Sequence, residues 1–283
     1  MYHSNERIDE IAASLDAIKE SGQTYFHNQK GMIPSRTDTV AIVTGLQSLM
    51  FPSYFVSEAY SHGDTARRLE DLLLLIKRQL TAAYSFCGEI TVVDTESLAY
   101  SILGEMPRIK ALLIKDVQAI YEGDPAAKSP EEVILSYPGF LAISVYRIAH
   151  EFYLRGIPYL PRIMTEYAHE KTGVDIHAGA TVGEYFFIDH GTGIVIGETT
   201  VIGNHVKIYQ GVTLGAKSFE LDEEGKPVKG IKRHPDIGNN CVIYANATIL
   251  GGTTKIGDGS VIGANVWVTG SVPPNSTVYY NNK

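Results

Sequence analysis

The feature that most constrains the fold of this chain is an aliphatic residue at about every sixth position from residue 175 to residue 268. The spacing fits neither an α-helix, with about 3.6 residues per turn, nor an ordinary strand, whose side chains alternate. It is typical of a solenoid in which each unit is a short strand and a turn, and three units complete a triangular coil. We therefore predict a parallel β-helix. The repeated residues are Ile176, Val182, Ile188, Ile194, Ile196, Ile202, Ile208, Leu214, Ile237, Ile243, Ile249, Ile256, Ile262 and Val268.

The chain before this repeat has the spacing of helices instead. Apolar residues at helical intervals predict helices over residues 40–50, 64–85, 95–103, 107–121, 138–155 and 161–171. Gly173 suits the end of the last helix, and the six-residue repeat begins directly after it. The predicted fold class is therefore α+β, with an all-helical N-terminal domain over residues 1–173 and a β-helix domain over residues 174–283.

A polar insertion interrupts the repeat at residues 216–236. It is long for a connection without secondary structure, and such loops are usually functional or disordered. Its second half is basic, with Lys226, Lys229, Lys232 and Arg233. Two interpretations remain open. The insertion is either a solvated surface loop or a flap over a site between neighbouring β-helices, where its positive charge would attract an anionic ligand.

Composition argues against several classes of protein. The net charge of −8 is unfavourable for a nucleic-acid binder, which needs a basic surface. No apolar run approaches the ~20 residues of a membrane span. The two cysteines, Cys87 and Cys241, lie in different parts of the chain, so a disulfide framework is not predicted. We expect a cytoplasmic protein that binds neither nucleic acid nor a membrane.

Aspartate and histidine residues lie where the six-residue repeat is interrupted. Asp189 and His190 directly follow a repeat residue and so lie at or beyond a corner of the coil, whereas Asp175 comes about one coil earlier. Residues one coil apart, about eighteen positions, stack at the ~4.8 Å spacing of strands. Asp175 and His190 are fifteen positions apart, so the repeat permits their contact without requiring it. A histidine oriented by a carboxylate can remove a proton from a hydroxyl group, although spacing alone favours a structural role for any single histidine.

At these residues the sequence resembles the serine O-acetyltransferase family, whose members make O-acetylserine from serine and acetyl-CoA. The matching motifs are residues 174–180, 188–199, 210–215, 232–237 and 272–274, with 123–126 and 142–150 upstream. Hexapeptide repeats alone define a broad acyltransferase superfamily. The combination of Asp-Ile-His, Asp-His-Gly-Thr-Gly and Arg-His-Pro is narrower. The resemblance covers about residues 110–275 and implies a left-handed β-helix.

The resemblance also implies catalytic roles. His190 would be the general base that deprotonates the serine hydroxyl as it attacks the thioester, and Asp175 would orient it. No serine or cysteine in the motifs is placed as an activated nucleophile, so direct transfer without an acyl-enzyme is expected. No metal is expected.

Four further residues would bind the ends of serine. Asp124 and Asp189 would hold the amino group, and Arg233 with His234 would hold the carboxylate, where a guanidinium can make two parallel hydrogen bonds. His234 would in addition polarise the thioester oxygen. Binding energy would thus be used to orient the acceptor.

Acetyl-CoA, the co-substrate, would lie in a groove between two β-helices. The family analogy places it along the backbone and small side chains of Thr213, Gly215, Ala245 and Ala264. The site would then lie between adjacent subunits, which implies a homotrimer, and pairing of two trimers through the helical domains would give a hexamer.

The resemblance implies two further partners. L-cysteine commonly inhibits the family by feedback at the serine site, where Asp124, Asp189 and Arg233 would also hold it. The sulfhydrylase that consumes O-acetylserine recognises a C-terminal tail ending in Ile, whereas this chain ends in Asn281-Asn282-Lys283. Either the chain is truncated or it does not form that complex.

Alternatives of other kinds remain open at this point. A related β-helix acyltransferase would act on homoserine, a sugar or another small hydroxyl compound. A zinc-dependent trimer resembling β-helix carbonic anhydrases would need three histidines, for which His177, His190 and His205 are the candidates. A third possibility is a scaffold without catalytic activity.

Overall fold

The computed structural model of the protein describes residues 6–21, 32–55, 63–87, 93–218 and 220–279. Helices come first: α1 (Glu6–Ser21), α2 (Arg36–Met50), α3 (Pro52–Phe55), α4 (Gly63–Phe86), α5 (Thr95–Gly104), α6 (Met106–Gly123), α7 (Pro130–Ser136), α8 (Pro138–Leu154) and α9 (Leu160–Thr172). Short strands follow: β1 (Asp175–Ile176), β2 (Thr181–Val182), β3 (Phe187–Ile188), β4 (Val195–Ile196), β5 (Val201–Ile202), β6 (Lys207–Ile208), β7 (Thr213–Gly215), β8 (Asp236–Ile237), β9 (Val242–Ile243), β10 (Thr248–Leu250), β11 (Lys255–Ile256), β12 (Val261–Ile262), β13 (Trp267–Val268) and β14 (Thr277–Val278). The predicted order, a helical region followed by parallel strands, is confirmed.

The strands belong to three parallel sheets in rotation, so that up to β13 every third strand joins the same sheet. The first sheet contains β1, β4, β7, β10 and β13, the second β2, β5, β8 and β11, and the third β3, β6, β9, β12 and β14. The aliphatic residues of the repeat pair with one another: Ile176 lies opposite Ile196, and Ile202 lies opposite Ile237. These side chains are almost completely buried. The repeat is therefore the core of the strand region.

The repeat is irregular at three turns: Ile188 to Ile196 is two residues longer than the regular spacing, Leu214 to Ile237 contains the insertion, and Ile249 to Ile256 is one residue longer. The two-residue shift falls in the turn between β3 and β4, and Asp175 accordingly pairs with Val195. The insertion falls between β7 and β8 and is not structureless, because Leu221 and Pro227 form an antiparallel bridge and the N–H of Val228 donates to the carbonyl of Glu220 at 2.8 Å. The basic half of the insertion therefore returns to the coil through a short hairpin.

A buried ion pair attaches helices α6 and α8 to the first strands. Nε and Nη2 of Arg147 donate to the two carboxylate oxygens of Asp116 at 2.6 and 2.9 Å, and both side chains are buried. Arg147 also donates to the carbonyls of Val182 and Gly183, and the N–H of Phe186 donates to Asp116 at 3.0 Å. Because each charge has a partner, the pair is tolerated in the core. It fixes the helices relative to β3.

Of the two helices that this ion pair joins, α8 is the more deeply buried, with Phe140, Ile143, Ile148 and Phe152 in the core.

In the described ranges no single helix has the length and apolar character needed to cross a membrane. Helices α7 and α8 together would meet that criterion by length and composition alone, with a bend of 75° between them.

Candidate active site

Four residues around the β3–β4 turn form what we call the acidic half-site: Asp124, Tyr137, Asp189 and His190. His190 has a positive φ of 57° and a side chain that is 69% exposed. Its Nδ1 lies 3.4 Å from Oδ1 of Asp189, whose side chain is 17% exposed. The turn thus presents an accessible imidazole beside a largely covered carboxylate.

Asp124 is held in this half-site by the helical region. The Tyr137 hydroxyl donates to Oδ2 of Asp124 at 2.6 Å, and the N–H of Ala126 donates to Oδ1 at 2.8 Å. These hydrogen bonds, that of Tyr137 first, hold the pKa of Asp124 below its ordinary value, and the nearby His190 acts in the same direction. The same bond raises the pKa of Tyr137 to about 12. Near neutral pH this corner therefore holds an ionised carboxylate and a neutral phenol.

Asp175 is not the carboxylate partner of His190 within one chain. Among the described residues, neither a hydrogen bond nor an ion pair joins the two, and Asp189 is the carboxylate at Nδ1 of His190. Asp175 lies half-buried on β1 and pairs through its backbone with Val195, five positions beyond His190. The coil therefore places Asp175 beside β4 and not beside the β3–β4 turn.

A second group, which we call the basic half-site, lies at the β4–β5 turn and contains Glu198, Thr199, Arg233 and His234. The N–H groups of Arg233 and His234 donate to Oγ1 of Thr199 at 3.0 and 3.1 Å. A Cβ atom added at Gly197 would lie 2.1 Å from Cδ2 of His234, so a side chain there would displace the ring. The end of the insertion is thus packed against this turn.

His234 is neutral in this setting. The N–H of Thr199 donates to Nδ1 of His234 at 3.1 Å, which requires an unprotonated Nδ1 and places the proton on Nε2. Burial lowers the pKa of His234 to about 4, and the charge of Arg233 adds to this effect. Near neutral pH His234 can therefore donate a hydrogen bond from Nε2 without carrying a charge.

Sequence reasoning missed Glu198, the residue that pairs with Arg233. Nη2 of Arg233 donates to Oε2 of Glu198, and both side chains are 22% exposed. The repeat contains a signal that could have found it. Ile202 pairs with Ile237, and Glu198 and Arg233 each lie four positions before those residues. The register of the coil therefore places them side by side.

The two half-sites do not meet within one chain. The acidic half-site lies in the turn before β4 and the basic half-site in the turn after it. Strand β4 lies between them, and among the described residues no hydrogen bond or ion pair joins the two groups. Asp189 and His190 are thus brought together with Asp124, and Arg233 is brought together with His234, but the two groups are separate.

The four residues predicted to bind acetyl-CoA lie at the two ends of strands in the first sheet. Thr213 begins β7, and Ala245 and Ala264 lie in the turns before β10 and β13. The N–H of Asn265 donates to the carbonyl of Ala245 at 2.9 Å, which stacks these two turns. Gly215 ends β7, on the side of the β4–β5 turn. Ala264 is exposed, whereas Thr213, Gly215 and Ala245 are half-buried.

The three histidines considered as zinc ligands lie in three different turns of the coil. His177 follows β1 and accepts a hydrogen bond from the N–H of Gly179, and His205 stacks on Tyr185 with ring centroids 4.4 Å apart. His190 lies between β3 and β4. Within the described residues, no group of three or more His, Cys, Asp or Glu side chains is arranged to hold a metal ion. One chain therefore does not bring the three together.

Comparison with known proteins extends these observations. The family model "Serine acetyltransferase, N-terminal" matches residues 71–145. The protein named "Serine acetyltransferase, plasmid" from Synechococcus elongatus is 46% identical over 260 residues, which are 87% of this chain and 81% of the relative. The crystal structure of Entamoeba histolytica serine acetyltransferase 1 in complex with L-cysteine is 40% identical, with a TM-score of 0.75 over 84% of this chain and 86% of that chain. That of Neisseria gonorrhoeae serine acetyltransferase in complex with serine is 33% identical, with a TM-score of 0.58 over 87% and 93%.

The fold, the two half-sites and these relatives define the class of protein: it is an enzyme of the acyltransferase class. The chain belongs to the serine acetyltransferase family. The family predicted from the sequence motifs is thereby confirmed.

Proposed function

We propose that the chain transfers the acetyl group of acetyl-CoA to the hydroxyl of L-serine, which yields O-acetyl-L-serine and CoA and begins the synthesis of cysteine from serine. The observation that carries this proposal is the accessible imidazole of His190 beside the carboxylates of Asp189 and Asp124. A serine bound there would have its ammonium group against two carboxylates and its hydroxyl near a base. The Neisseria relative, crystallised with serine, supports this choice of acceptor.

The two histidines would have different parts in the chemistry. His190 accepts the hydroxyl proton as the serine oxygen attacks the thioester carbon. The new C–O bond forms, the C–S bond breaks, and the imidazolium returns its proton to the departing thiolate of CoA. His234 donates its Nε2–H to the oxygen that becomes negative during this step. No protein side chain is acylated.

The remaining site residues would bind and orient the substrates. Arg233 would bind the carboxylate of serine, and Asp124 with Asp189 would bind its ammonium group. Thr213, Gly215, Ala245 and Ala264 would line the path of acetyl-CoA. Orientation of His190 by Asp175 stays a prediction, because within one chain Asp189 is the carboxylate at Nδ1.

A complete site requires a second copy of the chain in this proposal. The acidic half-site of one subunit would face the basic half-site of its neighbour, and a ring of three copies would satisfy every half-site. The three sheets would close into a left-handed parallel β-helix over residues 174–283, and the helical domain over residues 1–173 would pair two trimers into a hexamer. L-cysteine, with the same ammonium and carboxylate groups, would compete with serine, which the Entamoeba relative with bound L-cysteine supports.

An assay of thiol release from acetyl-CoA tests the activity directly. We expect CoA release with L-serine, and weaker or no release with L-homoserine and a panel of sugars. Preference for homoserine or a sugar would contradict the assigned acceptor, and the absence of release with every acceptor would contradict the activity. Stoichiometric zinc in the purified protein would favour the metal-dependent alternative instead.

A further inference from the structure

We propose that Tyr153 and Glu198 are positioning residues that orient Arg233 for the carboxylate of the acceptor. The inference rests on the proposed function, because it takes Arg233 as the residue that binds this carboxylate. Tyr153 belongs to helix α8, Glu198 to the β4–β5 turn and Arg233 to the end of the insertion. A continuous chain of hydrogen bonds thus joins the helical region to the basic half-site.

Glu198 is the centre of this chain because both of its carboxylate oxygens are occupied. Oε2 accepts from Nη2 of Arg233, and Oε1 accepts from the hydroxyl of Tyr153 at 3.0 Å. The side chain is only 22% exposed, so water has limited access to it. With one donor on each oxygen, rotation of the carboxylate would break both bonds. Its orientation, and with it that of the guanidinium, is therefore set by the protein.

Tyr153 is itself held in place. Its ring meets the ring of His177 edge-on, with centroids 5.8 Å apart and an angle of 83° between the planes. A Cβ atom added at Gly179 would lie 2.7 Å from Cζ of Tyr153, so the phenol ring lies directly over the turn between β1 and β2. The Tyr153 hydroxyl is thus presented to Glu198 by packing on two sides.

The protonation states suit this arrangement. Burial raises the pKa of Glu198, but the hydrogen bonds from Arg233 and Tyr153 outweigh burial and leave it below its ordinary value. Burial, followed by the bond to Glu198, raises the pKa of Tyr153. Near neutral pH Glu198 is therefore an ionised acceptor and Tyr153 a neutral donor.

Glu198 also affects the N–H groups of Arg233 to which it is not hydrogen-bonded. A guanidinium has five N–H donors in a rigid plane, so fixing one edge also fixes the direction of the others. Arg233 lines a cleft of about 230 Å³ together with Lys217, Lys232 and residues 251–253. Orienting the guanidinium before the acceptor binds reduces the entropy lost on binding. The expected result is tighter binding of acceptors that carry a carboxylate.

The test compares serine with serinamide, in which a neutral amide replaces the carboxylate. In Glu198→Gln we expect the KM for serine to rise about tenfold, because an ion pair with Arg233 is lost, and in Tyr153→Phe about threefold, because only one hydrogen bond from a neutral donor is lost. The KM for acetyl-CoA and the kcat/KM for serinamide should change by less than about twofold, since neither involves the carboxylate.

Glu184→Gln is the matched control. Glu184 lies in the turn between β2 and β3 and accepts a hydrogen bond from Lys115 of helix α6 at 2.7 Å. Like Glu198, it lies in a turn of the coil, pairs with a basic side chain and bonds to a helix, but it belongs to neither half-site. We expect Glu184→Gln to leave the KM for serine and the kcat/KM for serinamide unchanged.

Arg233→Ala separates failure of this inference from failure of the proposed function. If Arg233→Ala lowers the kcat/KM for serine and for serinamide equally, Arg233 does not bind the carboxylate. If Arg233→Ala lowers the kcat/KM for serine more than that for serinamide, while Glu198→Gln and Tyr153→Phe do not, only the positioning inference is overturned. In the Arg233→Ala background, Glu198→Gln should add no further loss for serine, because the two residues act as one unit.

Discussion

The acidic and basic half-sites differ in how far their side chains are engaged before any substrate binds. In the acidic half-site the imidazole of His190 is 69% exposed, with a single carboxylate at 3.4 Å. In the basic half-site Arg233 already pairs with Glu198, and His234 is 7% exposed. One half-site is thus open for proton transfer, and the other has its donors arranged in advance, which favours stabilisation of developing charge. In the proposed function the two are combined between copies of the chain.

The largest effect is expected from removing the accessible base. His190→Asn keeps a residue type that tolerates the positive φ of this turn, as Asn240 and Asn246 do in other turns of the same coil. The kcat should fall about 10²–10⁴-fold, the usual contribution of a general base. His205→Asn is the control, since His205 also has a positive φ of 56° but lies in the β5–β6 turn. Full activity of His190→Asn would refute the assignment.

The next effect concerns the buried ion pair between Asp116 and Arg147, which attaches helices α6 and α8 to the coil. Asp116→Ala would leave Arg147 buried without its partner, and the free energy of unfolding should fall by about 3–5 kcal/mol. Chemical denaturation measures this change. Glu170→Ala removes an exposed pair with Arg36 and should cost less than about 1 kcal/mol. Equal losses in the two variants would show that the buried pair does not fix the helices to the coil.

A smaller effect is expected on the pH dependence of stability, through His234 of the basic half-site. Because the folded protein lowers the pKa of His234 from 6.5 to about 4, folding favours the neutral imidazole. This contribution to stability is present above about pH 6.5 and is lost as the pH falls through about 4. The melting temperature of the wild type should therefore fall more steeply over this range than that of His234→Gln. Parallel profiles would mean that His234 titrates normally.

Much of the fold follows from periodicity alone. The six-residue repeat correctly assigns the buried aliphatic residues, and helical spacing locates five helices from α4 to α9 within about two residues of their observed ends. Helix α7 was not predicted, because seven residues are too few to show a helical period. Local periodicity thus determines the elements, but not how they pack on one another.

The site was predictable only where the repeat or the motifs carry information. The pairing of Glu198 with Arg233 follows from the register of Ile202 and Ile237, and could have been found. The hydrogen bonds from Tyr137 to Asp124 and from Tyr153 to Glu198 could not, since they depend on how helices pack against the coil.

The most direct test of the central claim, that a complete site combines the half-sites of two copies, is co-expression of His190→Asn with Arg233→Ala. Each variant alone should have a strongly reduced kcat/KM for serine. In a mixed oligomer, the intact acidic half-site of an Arg233→Ala chain can face the intact basic half-site of a His190→Asn chain. Random assembly makes about a quarter of such sites intact, so we predict recovery of about a quarter of wild-type activity. Activity no higher than that of the separate variants would contradict the claim and place the whole site within one chain.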